Sequence, residues 1–415
     1  MTTTSQEQPT GAQPLRTAFD DYVNRLRGGE VGALPGLAGL LVLVIVFTIL
    51  TGSKFTNAFN FANLILQGAG ITVLAMGLVF VLLLGEIDLS AGFAGGVTAG
   101  VLGILMTNHG WPWVPALVTA LLCGTLIGVL IGVLCANLGI PSFVVTLAAF
   151  MGFQGLLLLE TGAGGTIAYR NDAILAIMNK NMPVWLGWLL AVLVVAAFAG
   201  LGLWRQVGRT RAGLPAASIQ VWAVKSAAFA VVLLAATAYL SKERSRNVFL
   251  ASLKGVPIVV PIVGALLVGL TFLLTRTAWG RHVYAVGGNA EAARRAGINV
   301  AWVRISCFMM CSTLAVVGGV LLASRTNSVN PNTGGTLTLL YAVGAAVIGG
   351  TSLFGGRGRV LDAILGASVV TVIDNGMTLL NQPQGRVYII TGVVLLLAAS
   401  VDAISRRRAA ASGRV

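Results

Sequence analysis

The sequence predicts an all-α polytopic membrane protein with about ten to twelve transmembrane helices, and three observations predict it. Of 415 residues, 56% are hydrophobic and only 10% are charged, against about 25% charged in a soluble domain; mean hydropathy is +0.89. The apolar residues gather in runs of about twenty, the length that crosses a bilayer core. Lys and Arg outnumber Asp and Glu by 27 to 13, a net charge of +14, concentrated between the runs. That is the positive-inside pattern of cytoplasmic loops, so lipid is the expected partner and nucleic acid is not.

In chain order, residues 1–32 form a polar arm of mixed charge, and the first apolar run, 33–51, reads as an uncleaved span. Residues 54–63 are a short polar exit before the spans at 64–84 and, rich in glycine, 90–107. Trp111 and Trp113 are expected interface anchors. Spans at 116–138 and 142–160 flank a turn with Asn137 and Pro141, and 161–182 is polar. The span at 183–203 leads into a basic loop with Arg205, Arg209 and Arg211, and 221–240 returns. Residues 241–255 should be external by parity, although Lys242, Arg244, Arg246 and Lys254 favour the cytoplasm. Runs at 256–274, 302–323, 361–380 and 386–404 are further spans; 337–354 is Gly-broken and is either a full span or re-entrant. The membrane domain is thus 33–404, followed by a basic tail, 405–415, with both termini cytoplasmic.

Cys123, Cys135, Cys307 and Cys311 all lie in apolar runs, which suits helix packing and neither a disulfide framework nor a metal site. There is no phosphate-binding GxxxxGK[ST] loop, so no ATPase site is expected in the chain and no cofactor of its own. Gly92, Gly96 and Gly100, and again Gly124, Gly128 and Gly132, repeat every fourth residue and lay bare stripes where helices can approach closely.

Glu86 and Asp88 follow the second span directly. A carboxylate facing lipid would cost about 3 kcal/mol, so both need a polar or protein-lined place. Either Asp88 or Ser90 caps the third span while Glu86 faces water, or the stretch is a break between helices that lines the solute path or its gate. Asp374 and Asn375 raise the same choice in the last-but-one span, with pathway lining favoured over helix–helix hydrogen bonding; Gln154 and Asn137 are weaker candidates.

Residues 284–300 interrupt two apolar runs with a polar, basic stretch whose chemistry describes a small capped helix. Gly287 and Gly288 allow a tight turn. Asn289 is the N-cap, Glu291 suits the positive end of the helix dipole, and Arg294 and Arg295 suit the negative end. Gly297 ends it. About seven residues make a rod of roughly 10 Å, a knob rather than a span.

GGNAEAARRAGINV (287–300) resembles the coupling segment of bacterial ribose/xylose-type sugar permeases, the membrane subunits of ATP-driven importers. GEIDLSAG (85–92) and GGTSLFGGRGRV (349–360) match the same family in the same order. The resemblance implies a type II-like ABC importer permease fold and a homodimer. It also implies a cytoplasmic ATP-binding subunit, a fused double ATPase that binds ATP and Mg, and an extracytoplasmic sugar-binding protein. It makes Gly287, Gly288, Asn289, Glu291, Ala292, Ala293, Arg294 and Gly297 the ATPase-coupling residues, with Ala296 also permitting close approach. It supports Asp88 and Asn375 as pathway residues and offers Arg325 as a contact for the binding protein. Residues 189–253 look like the two-helix insertion of the xylose branch. The chain departs from the common pattern at Arg295 and Ala296, where Leu-Ser is frequent, and at Leu339, Leu340 and Tyr341, where relatives tend to be acidic. An ion-coupled carrier is the rival class; few membrane acids and no obvious inverted halves speak against it.

Overall fold

The computed structural model describes residues 34–162, 165–214, 219–245 and 252–411, so the expected arm, 1–32, lies outside the described residues. Contacts divide the chain into two compact units, one comprising Gly32–Asn181 with Pro257–Ile404, the other built on Met182–Val256. The second contains the expected insertion, 189–253, with wider bounds.

The larger unit begins with α1 (Leu34–Thr51), the short α2 (Ser53–Thr56) and α3 (Ala58–Leu83). The Asn57 side chain accepts from the Phe59 N–H at 2.9 Å and starts α3 inside the expected polar exit. Hydropathy misplaces that boundary because Asn60 is polar yet buried. After α4 (Ala91–Thr107), α5 (Trp113–Ala136) and α6 (Ser142–Thr161) come a two-residue strand β1 (Ile167–Ala168) and the amphipathic α7 (Asp172–Asn179). The smaller unit supplies α8 (Val184–Arg211) and α9 (Ile219–Leu240). The larger then resumes with α10 (Val259–Arg276), α11 (Ala278–Gly288), α12 (Ala290–Arg295), α13 (Val300–Thr326), β2 (Ser328–Val329), α14 (Thr336–Ile348), α15 (Val360–Leu379) and α16 (Gln384–Ala411).

Among the described residues, 8 helices are long and apolar enough to cross a membrane, and α1, α4, α14 and α16 add shorter apolar stretches. The expected runs are therefore helical, except that 349–354 of the run 337–354 is turn and irregular backbone. Two expected polar segments are helical as well: Arg205, Arg209 and Arg211 form the end of α8 rather than a loop. The basic tail, as far as Ala411, continues α16.

α3 and α13 are the antiparallel centre of the larger unit. Gly70 lies against Leu322 and Gly318, and Gly77 against Cys311, so their backbones touch where side chains are absent. The stripe Gly124, Gly128, Gly132 of α5 packs on α13 at Val316, Phe308 and Ile305. Cys307 and Cys311 are free and buried, as packing residues should be.

Two helix pairs run in opposite directions, a reversal that the sequence does not make obvious. α3 is followed by a break and the shorter α4; α13, running the opposite way, is followed by a break and the shorter α14. Both short helices begin inside the bundle. Asp88, just ahead of α4, neighbours Cys311 in the middle of α13. Gly92 and Gly96 of α4 lie on the backbone of Gly334 and Thr333, which lead into α14. The 13 residues of α14 reach about 20 Å, short of a bilayer core, yet they lie between β2 at one end and 349–359 at the other, so the stretch crosses the bundle and does not re-enter. Hydropathy could not show this symmetry, because it resides in chain direction and depth.

At the end of the bundle where α4 stops, β1 pairs antiparallel with β2, Ile167 opposite Val329. The Ser324 hydroxyl donates to the Ile174 carbonyl at 2.7 Å and seats α7 there. Asn181 and Pro257 form an isolated bridge within this unit.

In the smaller unit, α8 and α9 form a hairpin: Trp222 Nε1–H donates to the Ala199 carbonyl at 3.0 Å, and the Phe198 and Phe229 rings lie 4.5 Å apart. After α9, Arg246 lies outside the described residues and Lys254 is exposed, while Arg244 and Lys242 are engaged locally. Arg244 is buried and donates to the Leu240 and Gly255 carbonyls at 2.6 and 3.0 Å. Lys242 lies over the Tyr239 ring. Glu243 accepts from the Ser252 hydroxyl and the Leu253 N–H, which push its carboxyl down to about 2. A loop whose cations are partly consumed by its own carbonyls and ring says little about sidedness, which accounts for its conflict with the charge rule.

Candidate functional site

The three stretches that carry the resemblance, 200 residues and more apart at their extremes, meet in one knot at the end of the bundle opposite β1 and β2. The Leu83 carbonyl, at the end of α3, accepts from the Gly356 N–H at 2.8 Å. Tyr284, on α11, donates its hydroxyl to the Gly358 carbonyl at 2.8 Å. A Cβ on Gly287 would run into the Leu83 carbonyl oxygen and the Gly356 nitrogen. Gly355, at φ +84, has the Gly287 carbonyl and the Gly85 nitrogen as its nearest neighbours, a place where only a bare, left-handed residue fits.

Gly287 and Gly288 therefore do not make the expected turn. They are the last turn of α11, and the chain bends at Asn289 instead. Asn289 accepts from the Ala292 N–H at 2.9 Å and caps α12; Gly297, at φ +83, lies just beyond its end. Glu291 pairs with Arg294 at 3.0 Å and Arg295 at 3.2 Å, all exposed, so the two arginines answer the helix's own acid as well as its dipole. Ala293 is buried in the core and not free for close approach by a partner, contrary to expectation, because it is the residue that seats α12 on the bundle. Gly288, Ala292, Arg294, Arg295, Ala296 and Gly297 remain exposed.

Beside the knot, residues 84–90 form the break that α3 and α4 require. Glu86 does not face water; it pairs with Arg304 of α13 at 3.2 Å with most of its side chain covered. Asp88 is fully buried, its Oδ1 accepting from the Ser90 N–H at 2.9 Å and the Ser90 hydroxyl at 2.6 Å. Ser90 stands at the N-cap of α4 but gives its oxygen no capping bond, having turned it to Asp88. On the other side, Asp362 accepts from the Arg359 N–H at 2.8 Å and its guanidinium at 3.0 Å, starting α15.

Asp374 and Asn375 separate. Asn375 is buried in a reciprocal amide pair with Asn60, at 2.9 and 3.0 Å, and reaches Gln67 at 3.3 Å; helix–helix hydrogen bonding, not pathway lining, describes it. Asp374 is half-buried and interacts with Arg325 at the far end of α13. Asn137 and Gln154 are exposed. Sequence reading missed Asn60, Arg304 and Tyr284, whose partners are remote in the chain, and Phe354, assigned to an apolar run but exposed in the knot.

A family model described as branched-chain amino acid transport system / permease component matches residues 60–399. The chain is 36% identical to the xylose transport system permease protein XylH of Escherichia coli over 375 residues, 90% of this chain and 92% of that one. It is 32% identical to the protein of the same name from Haemophilus influenzae, over 90% of this chain and 96% of the relative. With the ribose import permease protein RbsC of Escherichia coli it shares 29% identity, over 88% and 92% respectively. No solved structure matches.

Proposed function

We infer, from the family to which this chain belongs, the permease component of branched-chain amino acid transport systems, that it is the membrane-spanning subunit of an ATP-driven sugar importer. It is a multi-pass protein of the bacterial cytoplasmic membrane and works with an ATPase and a binding protein. Xylose is the proposed solute, since identity is 36% to a xylose permease against 29% to a ribose one. The ATPase is proposed to be a fused double subunit holding ATP and Mg, with none bound by this chain, and the permease to be a homodimer with both termini inside.

One observation carries the mechanism: the end of α11, which leads straight into the knob, packs backbone against backbone on the end of α3 and on the stretch after α14, one helix of each reversed pair. A push on the exposed Arg294, Arg295 and Ala296 reaches Leu83 through Gly287, and 355–358 through Tyr284. Leu83 ends α3, the long helix of the first pair, and 349–359 follows α14, the short helix of the second. Coupling requires an element whose contacts differ between two states, and this one touches both pairs at once. Asp88 and the break it holds are the proposed gate.

Reversed pairs also occur in carriers driven by ions, so the test must separate the two. Labelled xylose uptake is measured in cells lacking other transporters, with and without the ATPase and the binding protein, for the unsubstituted chain and Glu291→Arg. Dependence on both partners, and loss of uptake in the inserted variant, is the expected result. Uptake without an ATPase that a protonophore abolishes would overturn the importer.

A further inference from the structure

The smaller unit is a helical hairpin that the coupling machinery does not use, and α8 carries the marks of direct contact with lipid. Its apolar stretch, residues 184–203, extends roughly 30 Å at about 1.5 Å per residue, the thickness of a hydrocarbon core. Trp185 and Trp204 stand at the two ends of that stretch, 67% and 74% exposed. Exposed tryptophans at this spacing form the aromatic belts of the two membrane faces. Leu189, Val192 and Leu193 are exposed between them.

Beyond Trp204 the helix does not stop. It continues to Arg211, roughly 10 Å further, and so holds Arg205, Arg209 and Arg211 in the headgroup layer. All three are exposed. One turn apart, Arg205 and Arg209 share a face, and Arg211 follows Trp204 by two turns on another. A flexible loop would let these cations turn to water; a helix fixes their spacing. On α9, Trp222 lies against Ala199 and Gly202, so the exposed Lys225, a turn further on, starts inside the apolar stretch and snorkels to the same layer. From Pro183 to Lys242 the chain has no Asp or Glu. Among the described residues, none of these four cations enters an ion pair. Held together without a counter-charge, they repel one another unless an anion sits among them.

We propose that this end of the α8–α9 hairpin binds the phosphodiester headgroup of an anionic phospholipid of the phosphatidylglycerol class, in the leaflet that the charge rule makes cytoplasmic. The arginine forks match phosphate oxygens two at a time, and Trp204 packs on the glycerol and first methylenes of the same lipid. The site is independent of the importer reading and of the solute.

The test places the full chain in nanodiscs of phosphatidylcholine with a minor fraction of phosphatidylglycerol, brominates the acyl chains of one lipid or the other, and reads tryptophan fluorescence. Brominated phosphatidylglycerol should quench about twice as strongly per molecule as brominated phosphatidylcholine. Changing Arg205, Arg209, Arg211 and Lys225 together to Gln should abolish that excess, while Arg205→Lys with Arg209→Lys, which keeps every charge, should retain it. Trp204→Phe should lower it. Equal quenching by the two lipids, or an excess that outlasts the four Gln substitutions, would overturn the site. Inorganic phosphate in large excess should leave the preference intact; its loss would make the occupant a soluble anion and overturn the lipid assignment.

Discussion

Gly287 and Gly288 are adjacent, identical and both helical, yet the knot treats them oppositely. A methyl on Gly287 meets the Leu83 carbonyl; one on Gly288 meets nothing within 4 Å. Overpacking of this kind costs about 1–3 kcal/mol, here concentrated where three backbones meet. Gly287→Ala should reduce binding-protein-dependent uptake at least tenfold at normal membrane levels, whereas Gly288→Ala should stay within twofold; equal effects would remove the knot from the mechanism. The Asn60–Asn375 pair makes a separate prediction. Asn375→Ala strands two amides on α3, so a thermal melt in detergent should show a loss of about 1–2 kcal/mol. Asn60→Leu with Asn375→Leu should recover much of it. Residues of this kind were half legible. Asn289 and Gly297 declare themselves by local chemistry, but no local rule says that Gly287 must be bare while Gly288 need not be.

Among the elements, helices were the legible part, because a run of apolar residues has few alternatives in lipid. Their ends were less so. The first residues of α3 and the last turns of α8 are polar or basic, and hydropathy ends a span where polarity begins although the backbone keeps bonding to itself. The breaks were legible as places and not as partners: Glu86 was marked as a costly acid, but its cation, Arg304, lies in another stretch altogether. That pair ties the break before α4 to the start of α13, the helix that follows the knob. Glu86→Arg alone and Arg304→Glu alone should each lower uptake several-fold, and the double swap should restore at least half of it. Loss in the double variant equal to the sum of the singles would mean that the two charges act independently.

At the scale of the molecule, 189–253, which resembles the insertion of one branch of the family, lies within the smaller unit, and the contacts at its borders bear on whether the rest can fold without it. Asn181 and Pro257 are already bridged within the larger unit, so the bundle's chain is closed across the point where Met182–Val256 departs. Replacing 183–255 by a short Gly-Ser linker should therefore leave an insertable permease, monodisperse by size exclusion in detergent. Aggregation of the shortened chain would mean that the smaller unit is needed for folding. What the sequence did not foresee is the reversal that relates α3 and α4 to α13 and α14, since it lies in the direction each helix takes through the bundle and not in the apolar runs themselves.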